Sequence, residues 1–221
     1  MANKESTEKL KKELVFEYGR EKTEKLFSYI DMVLERNKHI NLTAVKDRDE
    51  AVQKHIADSL SICNLPEFLN AKTILDVGTG AGFPGVLLAI TDSSKKFTLM
   101  DATLKRLKVI DEFTEKLGIV NITTLHARAE EIARKPEYAG CFDLCVSRAV
   151  ANLNTLLGWS LPFVKKDGYF IAYKGENYQE EIDAATTGLK KFGGKVERIV
   201  QIPNETPEIS GHVLLVIRKT K

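Results

Sequence analysis

The stretch ILDVGTGAGFPG, residues 74–85, decides how this chain folds. Its apolar start carries Asp76, and glycines follow at Gly78, Gly80, Gly82 and Gly85. Glycines set between an apolar strand and a helix let a backbone approach a ligand closely. In open α/β sheets such a loop lies beyond the carboxyl ends of the strands, where ligands bind. Outward from it, the runs KTILDV, KFTLMDA, NITTLHA, FDLCVS and GYFIAYK are short and apolar, with β-branched or aromatic residues. Helical segments at 84–91, 103–117, 129–135, 152–160 and 177–191 separate them. Strands alternating with helices predict a Rossmann-like α/β fold, a mostly parallel sheet with helices on both faces. Two more strands, near 195–202 and 212–218, end the chain, and a turn over residues 203–211 is expected to make the last strand antiparallel.

Residues 1–69 read differently. STEKLKKELVFEYG and EKTEKLFSYIDMVLERN place apolar residues such as Leu26, Ile30, Val33 and Leu34 at helical spacing. Ser6 and Thr7 are the expected caps of the first helix, Gly19 separates it from the second, and a third covers residues 50–63. The expected organisation is therefore an N-terminal helical segment, residues 1–69, packed on a ligand-binding domain, residues 70–221.

Composition sets bounds. The chain has 221 residues, 43% hydrophobic and 29% charged, ordinary for a globular domain with its own core. No apolar run reaches bilayer length, and the start MANKESTEKLKKEL has no signal-peptide core, so a cytoplasmic protein with no membrane partner is expected. The net charge of +2 neither demands nor excludes a nucleic-acid partner. Cys63, Cys141 and Cys145 form no C-x-x-C pair and read as buried reduced thiols. His39, His55, His126 and His212 lack metal-ligand spacing, so no metal is expected.

The glycine loop fits two patterns. Gly80 to Gly85 matches G-x-G-x-x-G, the dinucleotide fingerprint, while Asp76 to Gly82 matches D-x-G-x-G-x-G, that of S-adenosylmethionine sites. A pyrophosphate on the helix N-terminus would be repelled by a neighbouring carboxylate. S-adenosylmethionine has no phosphate and carries two cationic groups, which a carboxylate favours. Asp76 and Gly78 are explained only by the second pattern. Asp101, at the end of the second strand, suits ribose hydroxyls in either case.

Two later segments fall at strand ends. In HARAEE, residues 126–131, Glu130 can accept a hydrogen bond from an exocyclic amine, or simply favour a helix dipole. In SRAVANL, residues 147–153, the amine-holding Asn/Asp-Pro-Pro-aromatic motif of base amino-methylating enzymes is missing, and Arg148 stands there instead. Arg148 is a pure donor, suited to a cofactor carboxylate or to guanine O6 and N7, or to a structural pair with Glu130.

With these residues in view the chain resembles the RsmG (GidB) family, bacterial S-adenosylmethionine-dependent methyltransferases that modify guanine N7 in small-subunit (16S) ribosomal RNA. The resemblance rests on RNKHINLT (36–43), HIADSL (55–60), LDVGTGAGFPG (75–85), RAEE (128–131), SRAVANL (147–153) and YKG (173–175), with no departure at these positions. It implies Gly78 and Phe83 on the cofactor, Asp101 at the ribose, and Ala129 with Glu130 near the adenine. It implies Arg148 by the cofactor or the incoming base. The expected cofactor set is Asp76, Gly78, Gly80, Phe83, Asp101, Ala102, Thr103, Ala129, Glu130 and Arg148. By spacing Asn37 and Asn41 share a helix face if the helix continues that far, or else cap its end, and His55 and Asp58 share a face as an ordinary polar pair. The resemblance implies that Arg36, Asn37, Asn41, His55, Asp58 and Lys174 touch the RNA or close the cleft. Lys105, Arg106, Lys165, Lys166 and Lys174 are candidates for phosphate contacts, each against the alternative of a solvated surface charge. The implied partner is small-subunit ribosomal RNA or an assembling small subunit. Three other functions compete: a methyltransferase of small molecules or proteins, an NAD-dependent oxidoreductase, and a non-catalytic binding module. No Tyr-x-x-x-Lys or His/Asp relay supports the oxidoreductase.

Overall fold

A computed structural model describes residues 4–202 and 211–221; residues 203–210, where the final turn is expected, lie outside the described residues. The chain opens with α1 (Lys4–Tyr18), α2 (Arg20–Asn37) and α3 (Arg48–Ala51). A π-helical turn (Val52–Ala57) runs on into α4 (Asp58–Leu60), and α5 (Pro66–Asn70) follows. Ser6 and Thr7 are not caps: α1 starts before them, on the good helix formers Lys4 and Glu5, and Thr7 is buried inside it. The third helix begins at Arg48 because the Asp47 side chain accepts the Glu50 N–H at 2.9 Å.

Among the described residues seven strands follow: β1 (Thr73–Val77), β2 (Lys96–Asp101), β3 (Ile122–His126), β4 (Phe142–Arg148), β5 (Val164–Lys174), β6 (Gly194–Gln201) and β7 (Val213–Lys219). They form one sheet in the order β3-β2-β1-β4-β5-β7-β6. β1 to β5 pair in parallel, and β7 runs antiparallel to both β5 and β6. Between them lie α6 (Gly85–Thr91), α7 (Leu104–Lys116), α8 (Ala129–Ile132), α9 (Leu153–Ser160), α10 (Tyr178–Ala184) and α11 (Thr186–Phe192). The single helix expected over 177–191 is thus two, meeting at the buried Ala185.

The sheet has a core on each face, and β1 sorts its side chains between them with the strand period of two. Ile74 joins Leu26, Tyr29 and Ile30 of α2, Val86 of α6 and Ile110 of α7. Leu75 and Val77 join Met100, Leu153, Leu157 and Phe170 on the other face. The N-terminal helices therefore share a continuous core with one face of the sheet. Burial on both faces is what a parallel sheet requires, and it explains the unbroken apolar runs of the central strands. Cys63 and Cys145 are buried free thiols, but Cys141 is exposed because it precedes β4 instead of lying within it. Chain order reverses between β1 and β4, and that switch point sets where a ligand can enter.

Candidate active site

The glycine loop is clipped to its neighbours by its own backbone. The Gly78 and Thr79 N–H groups both donate to the Met100 carbonyl, at 2.8 and 3.0 Å. Gly80 donates to Asp101 Oδ2 at 3.0 Å, and Thr103 N–H donates to Asp101 Oδ1 at 2.7 Å. Asp101 is thereby fixed between the loops that follow β1 and β2. Each of its oxygens keeps a further acceptor position.

Asp76 does not face the cleft, contrary to expectation. The period of β1 turns it, with Ile74, toward α6, where it is 0% exposed. Its Oδ2 accepts from Thr79 Oγ1 at 2.7 Å and from the Gly85 N–H at 2.9 Å, tying the strand to the start of α6. Oδ1 is buried without a hydrogen-bond partner among the described residues. Burial pushes this carboxyl up to about 6, against the pull of those two bonds. The glycines divide in the same way. Gly78 and Gly80 line the cleft. Gly82, at φ +90°, lies so close to Tyr29 Oη that a Cβ would overlap it, and a Cβ on Gly85 would overlap Leu99 Cδ2. These two serve helix-on-sheet packing.

A cleft of about 470 Å³ opens at the carboxyl ends of β1, β2 and β4. It brings together Gly78, Gly80, Phe83, Asp101, Ala102, Thr103, Ala129, Glu130 and Arg148, every residue of the expected cofactor set but Asp76. The sequence reading missed Leu42, Thr43, Val77, Met100, Val150 and Trp159 on its walls. Thr43 stood in a quoted motif, but nothing in the spacing of α9 marks Trp159, the chain's single tryptophan.

Of the expected substrate residues, only His55 lines this cleft. Arg36 turns away to Glu112 on α7, its Nη2 donating to both carboxylate oxygens at 2.7 and 2.8 Å. Asn37 ends α2 and pins the next loop: Oδ1 accepts from Leu42 and Thr43 N–H at 2.7 and 3.0 Å, and Nδ2 donates to the Thr43 carbonyl at 2.9 Å. Asn41 therefore lies beyond the helix, exposed, and shares no face with Asn37. Asp58 and Lys174 line a second cleft beside the first. Among the phosphate candidates, Arg106 lines the main cleft and Lys105 lies near it. Lys165 and Lys166 stand at the start of β5, at the end of the strands opposite the cleft, where Lys165 pairs with Asp143 at 2.7 Å.

Arg148 does not pair with Glu130. Its Nη1 donates to Asp58 Oδ2 at 2.8 Å and to the Lys54 carbonyl at 3.1 Å, and Nη2 meets His55 Nδ1 at 3.0 Å. Because guanidinium only donates, His55 Nδ1 must accept, so Nε2 carries the hydrogen and donates to Thr43 Oγ1 at 3.0 Å. Burial, then the Arg148 charge, pushes His55 down to about 3, which keeps it neutral. Its ring stacks on Phe83, with centroids 4.3 Å apart. Asp58 Oδ1 takes His212 Nδ1 at 3.1 Å. Burial opposes the charge on Asp58, but the His212 bond and Arg148 outweigh it and hold the carboxyl below its ordinary range. The π-helical turn that carries His55 thus sets Arg148, Phe83 and Thr43 around one cleft wall. Among the described residues no group of His, Cys, Asp and Glu is placed to hold a metal, and no helix is long and apolar enough to cross a membrane.

Comparison with known proteins fits this geometry. Residues 22–210 match the family described as GidB, rRNA small subunit methyltransferase G. The Ribosomal RNA small subunit methyltransferase G of Clostridium tetani is 42% identical over 87% of this chain and 80% of its own. The protein of the same name from Clostridium perfringens (strain 13) is 40% identical over 93% and 85%. Among solved structures, a SAM-dependent methyltransferase from Aquifex aeolicus has a TM-score of 0.57 at 19% identity, covering 76% of this chain and 93% of that one. A putative O-methyltransferase from Klebsiella pneumoniae has a TM-score of 0.58 at 17% identity, covering 87% and 90%. The structures share the fold, and the sequence relatives decide the family: the chain belongs to the rRNA small subunit methyltransferase G family, S-adenosylmethionine-dependent methyltransferases of small-subunit ribosomal RNA.

Proposed function

We propose that this chain transfers the methyl group of S-adenosylmethionine to N7 of a guanine in small-subunit ribosomal RNA, in the cytoplasm, as bare RNA or as an assembling subunit. One observation carries the cofactor assignment. The N–H groups of Gly82, Phe83, Gly85 and Val86, where a dinucleotide would seat its pyrophosphate, are all taken within the chain. The carboxylate of Asp76 takes that of Gly85. A phosphate-free cofactor fits this loop, and a dinucleotide does not.

Within the cleft, the two oxygens of Asp101 suit a ribose diol. Ala129, Glu130 and Trp159 form the end suited to adenine, with Val77 and Met100 as apolar floor. Residues 70–221 carry this cofactor site, and residues 1–69 supply one wall through Leu42, Thr43 and His55. The bound cofactor supplies a methyl group on a sulfonium, which leaves as a neutral thioether. The chain's own part is positioning, a term worth roughly 7–11 kcal/mol in well-oriented reactions. His55 has both ring nitrogens engaged and stays neutral, so it takes no proton. Guanine N7 needs no proton removed, because its lone pair already lies in the ring plane. N7 is unreachable in the deep major groove of A-form RNA, so the target must lie in an open or splayed-out segment.

Trp159 gives a direct readout. Titration with S-adenosylmethionine should change its fluorescence and saturate, while NADH should not compete. Asp101→Ala should weaken the cofactor by the loss of charge-assisted bonds, about 1.5–3 kcal/mol. Tight NADH binding without S-adenosylmethionine binding would overturn the assignment.

A further inference from the structure

The second cleft, about 460 Å³, shares Arg148, Ala149 and Val150 with the cofactor cleft. Val150 stands on the partition, since a Cβ added to Gly78 would meet its Cγ2 at 2.7 Å. The residue before it, Ala149, is held at φ +55°, a region costly for any residue but glycine. Asp58, Lys174, Glu181 and His212 stand on the remaining walls, among Ala151, Asn152, Tyr173 and Gly175. Asp58 has a bond on each oxygen and is 2% exposed, so it has little to offer a ligand. Glu181 differs, with a side chain 28% exposed. It accepts from Lys174 Nζ and from the Leu153 N–H, both at 2.6 Å and both on Oε2. A carboxylate offers about four acceptor positions, so these two bonds leave room for more. Lys174, 7% exposed and also bonded to the Ala151 carbonyl at 2.8 Å, fixes the direction of the carboxylate. Across the cleft Arg148 presents donors, three of its five N–H groups being engaged within the chain.

We propose that this cleft receives the target guanine and that Glu181 selects it, accepting from N1–H and the 2-amino group. O6 then meets Arg148, and the N7 lone pair is left open toward the cofactor cleft, past the rim at Ala149 and Val150 that the two clefts share. Guanine is the base that offers two adjacent donors on one edge and two acceptors on the other. Adenine would set a bare N1 lone pair against the carboxylate and be rejected, as sites built to pair a donor reject analogues that lack it. The assignment rests on the methyl-transfer reading above.

The test uses small-subunit ribosomal RNA reconstituted with its proteins. Mass spectrometry first locates the guanine that the wild-type protein methylates. Inosine, which lacks the 2-amino group, then replaces that one residue by splinted ligation. Wild-type kcat/KM should fall about ten- to hundredfold on the inosine RNA. Glu181→Gln should lose a similar factor on the guanosine RNA and treat the two RNAs alike within about twofold. Glu181→Asp, which keeps the charge and shortens the reach, should show an intermediate preference and serves if Glu181→Gln does not fold. A variant that slows both RNAs equally and keeps the wild-type guanosine preference would overturn the role of Glu181. A wild-type protein that forms no 7-methylguanosine on the guanosine RNA would instead overturn the underlying reading.

Discussion

Replacing Asp58 by Asn removes one charge from the buried hub while leaving its volume nearly unchanged. Asp58 and the Arg148 side chain are 2% and 11% exposed, and their bond is 2.8 Å long. Both partners of Asp58, Arg148 and His212, approach with donors. An Asn side chain has one acceptor and one donor group, so it satisfies one of them and sets an N–H₂ against the other unless His212 changes tautomer. Breaking a buried pair from one side costs about 3–5 kcal/mol. Arg148 keeps the Lys54 carbonyl and His55 Nδ1, so the low end, about 3 kcal/mol, is expected. For a chain of this size that corresponds to a fall in melting temperature of about 6–12 °C. Urea titration at pH 7 should show a lower midpoint with unchanged slope. The sign with pH follows from the depressed carboxyl of Asp58. Its contribution is fully present above the unfolded value, about 3.9, and is lost as pH falls through the lower folded value. The gap between wild type and variant should therefore close at strongly acidic pH. A loss under about 1 kcal/mol at pH 7 would refute the charged, buried pair, since that is the range of an exposed one.

Three further outcomes follow from the glycine loop. Tyr29→Phe removes the bond to the Ala81 carbonyl, 2.8 Å long and buried, and should cost about 1–3 kcal/mol for the orphaned acceptor; urea unfolding reads this directly. Gly82→Ala places a Cβ on Tyr29 Oη at φ +90° and should weaken cofactor binding, measured by calorimetry, or prevent folding. Asp76→Asn tests the buried carboxyl. Its value rises from 3.8 to about 6 on folding, so the folded state holds the proton more tightly and wild-type stability falls as pH climbs through that window. The variant should escape this fall and gain on wild type by about 3 kcal/mol between pH 4 and 7; equal pH profiles for the two proteins would show that Asp76 is not perturbed.

The sheet was legible because its signal is local. Each β-strand run is compact, and the glycine loop marks the first crossing from strand to helix. Asp101, Glu130 and Arg148 stand at strand ends, Ala129 is implied only by the family resemblance, and all four line the cleft. Asp76 was misplaced because its spacing from the glycines was weighed and its parity along β1 was not. The pairing of Arg148 with Asp58 spans 90 residues and depends on a π-helical turn that leaves no mark in residue spacing. Trp159 on α9 and Glu181 on α10 reach their clefts through the packing of those two helices, which no local periodicity encodes. The caps expected at Ser6 and Thr7 failed for the opposite reason, since Lys4 and Glu5 extend the helix past them.

Mass spectrometry of nucleosides from small-subunit ribosomal RNA, in cells with and without this protein, tests the proposed reaction most directly. The structure and the family together predict that one 7-methylguanosine disappears from that RNA when the protein is absent, and returns with the wild-type protein but not with Arg148→Ala. An unchanged 7-methylguanosine content in its absence would contradict the proposed reaction.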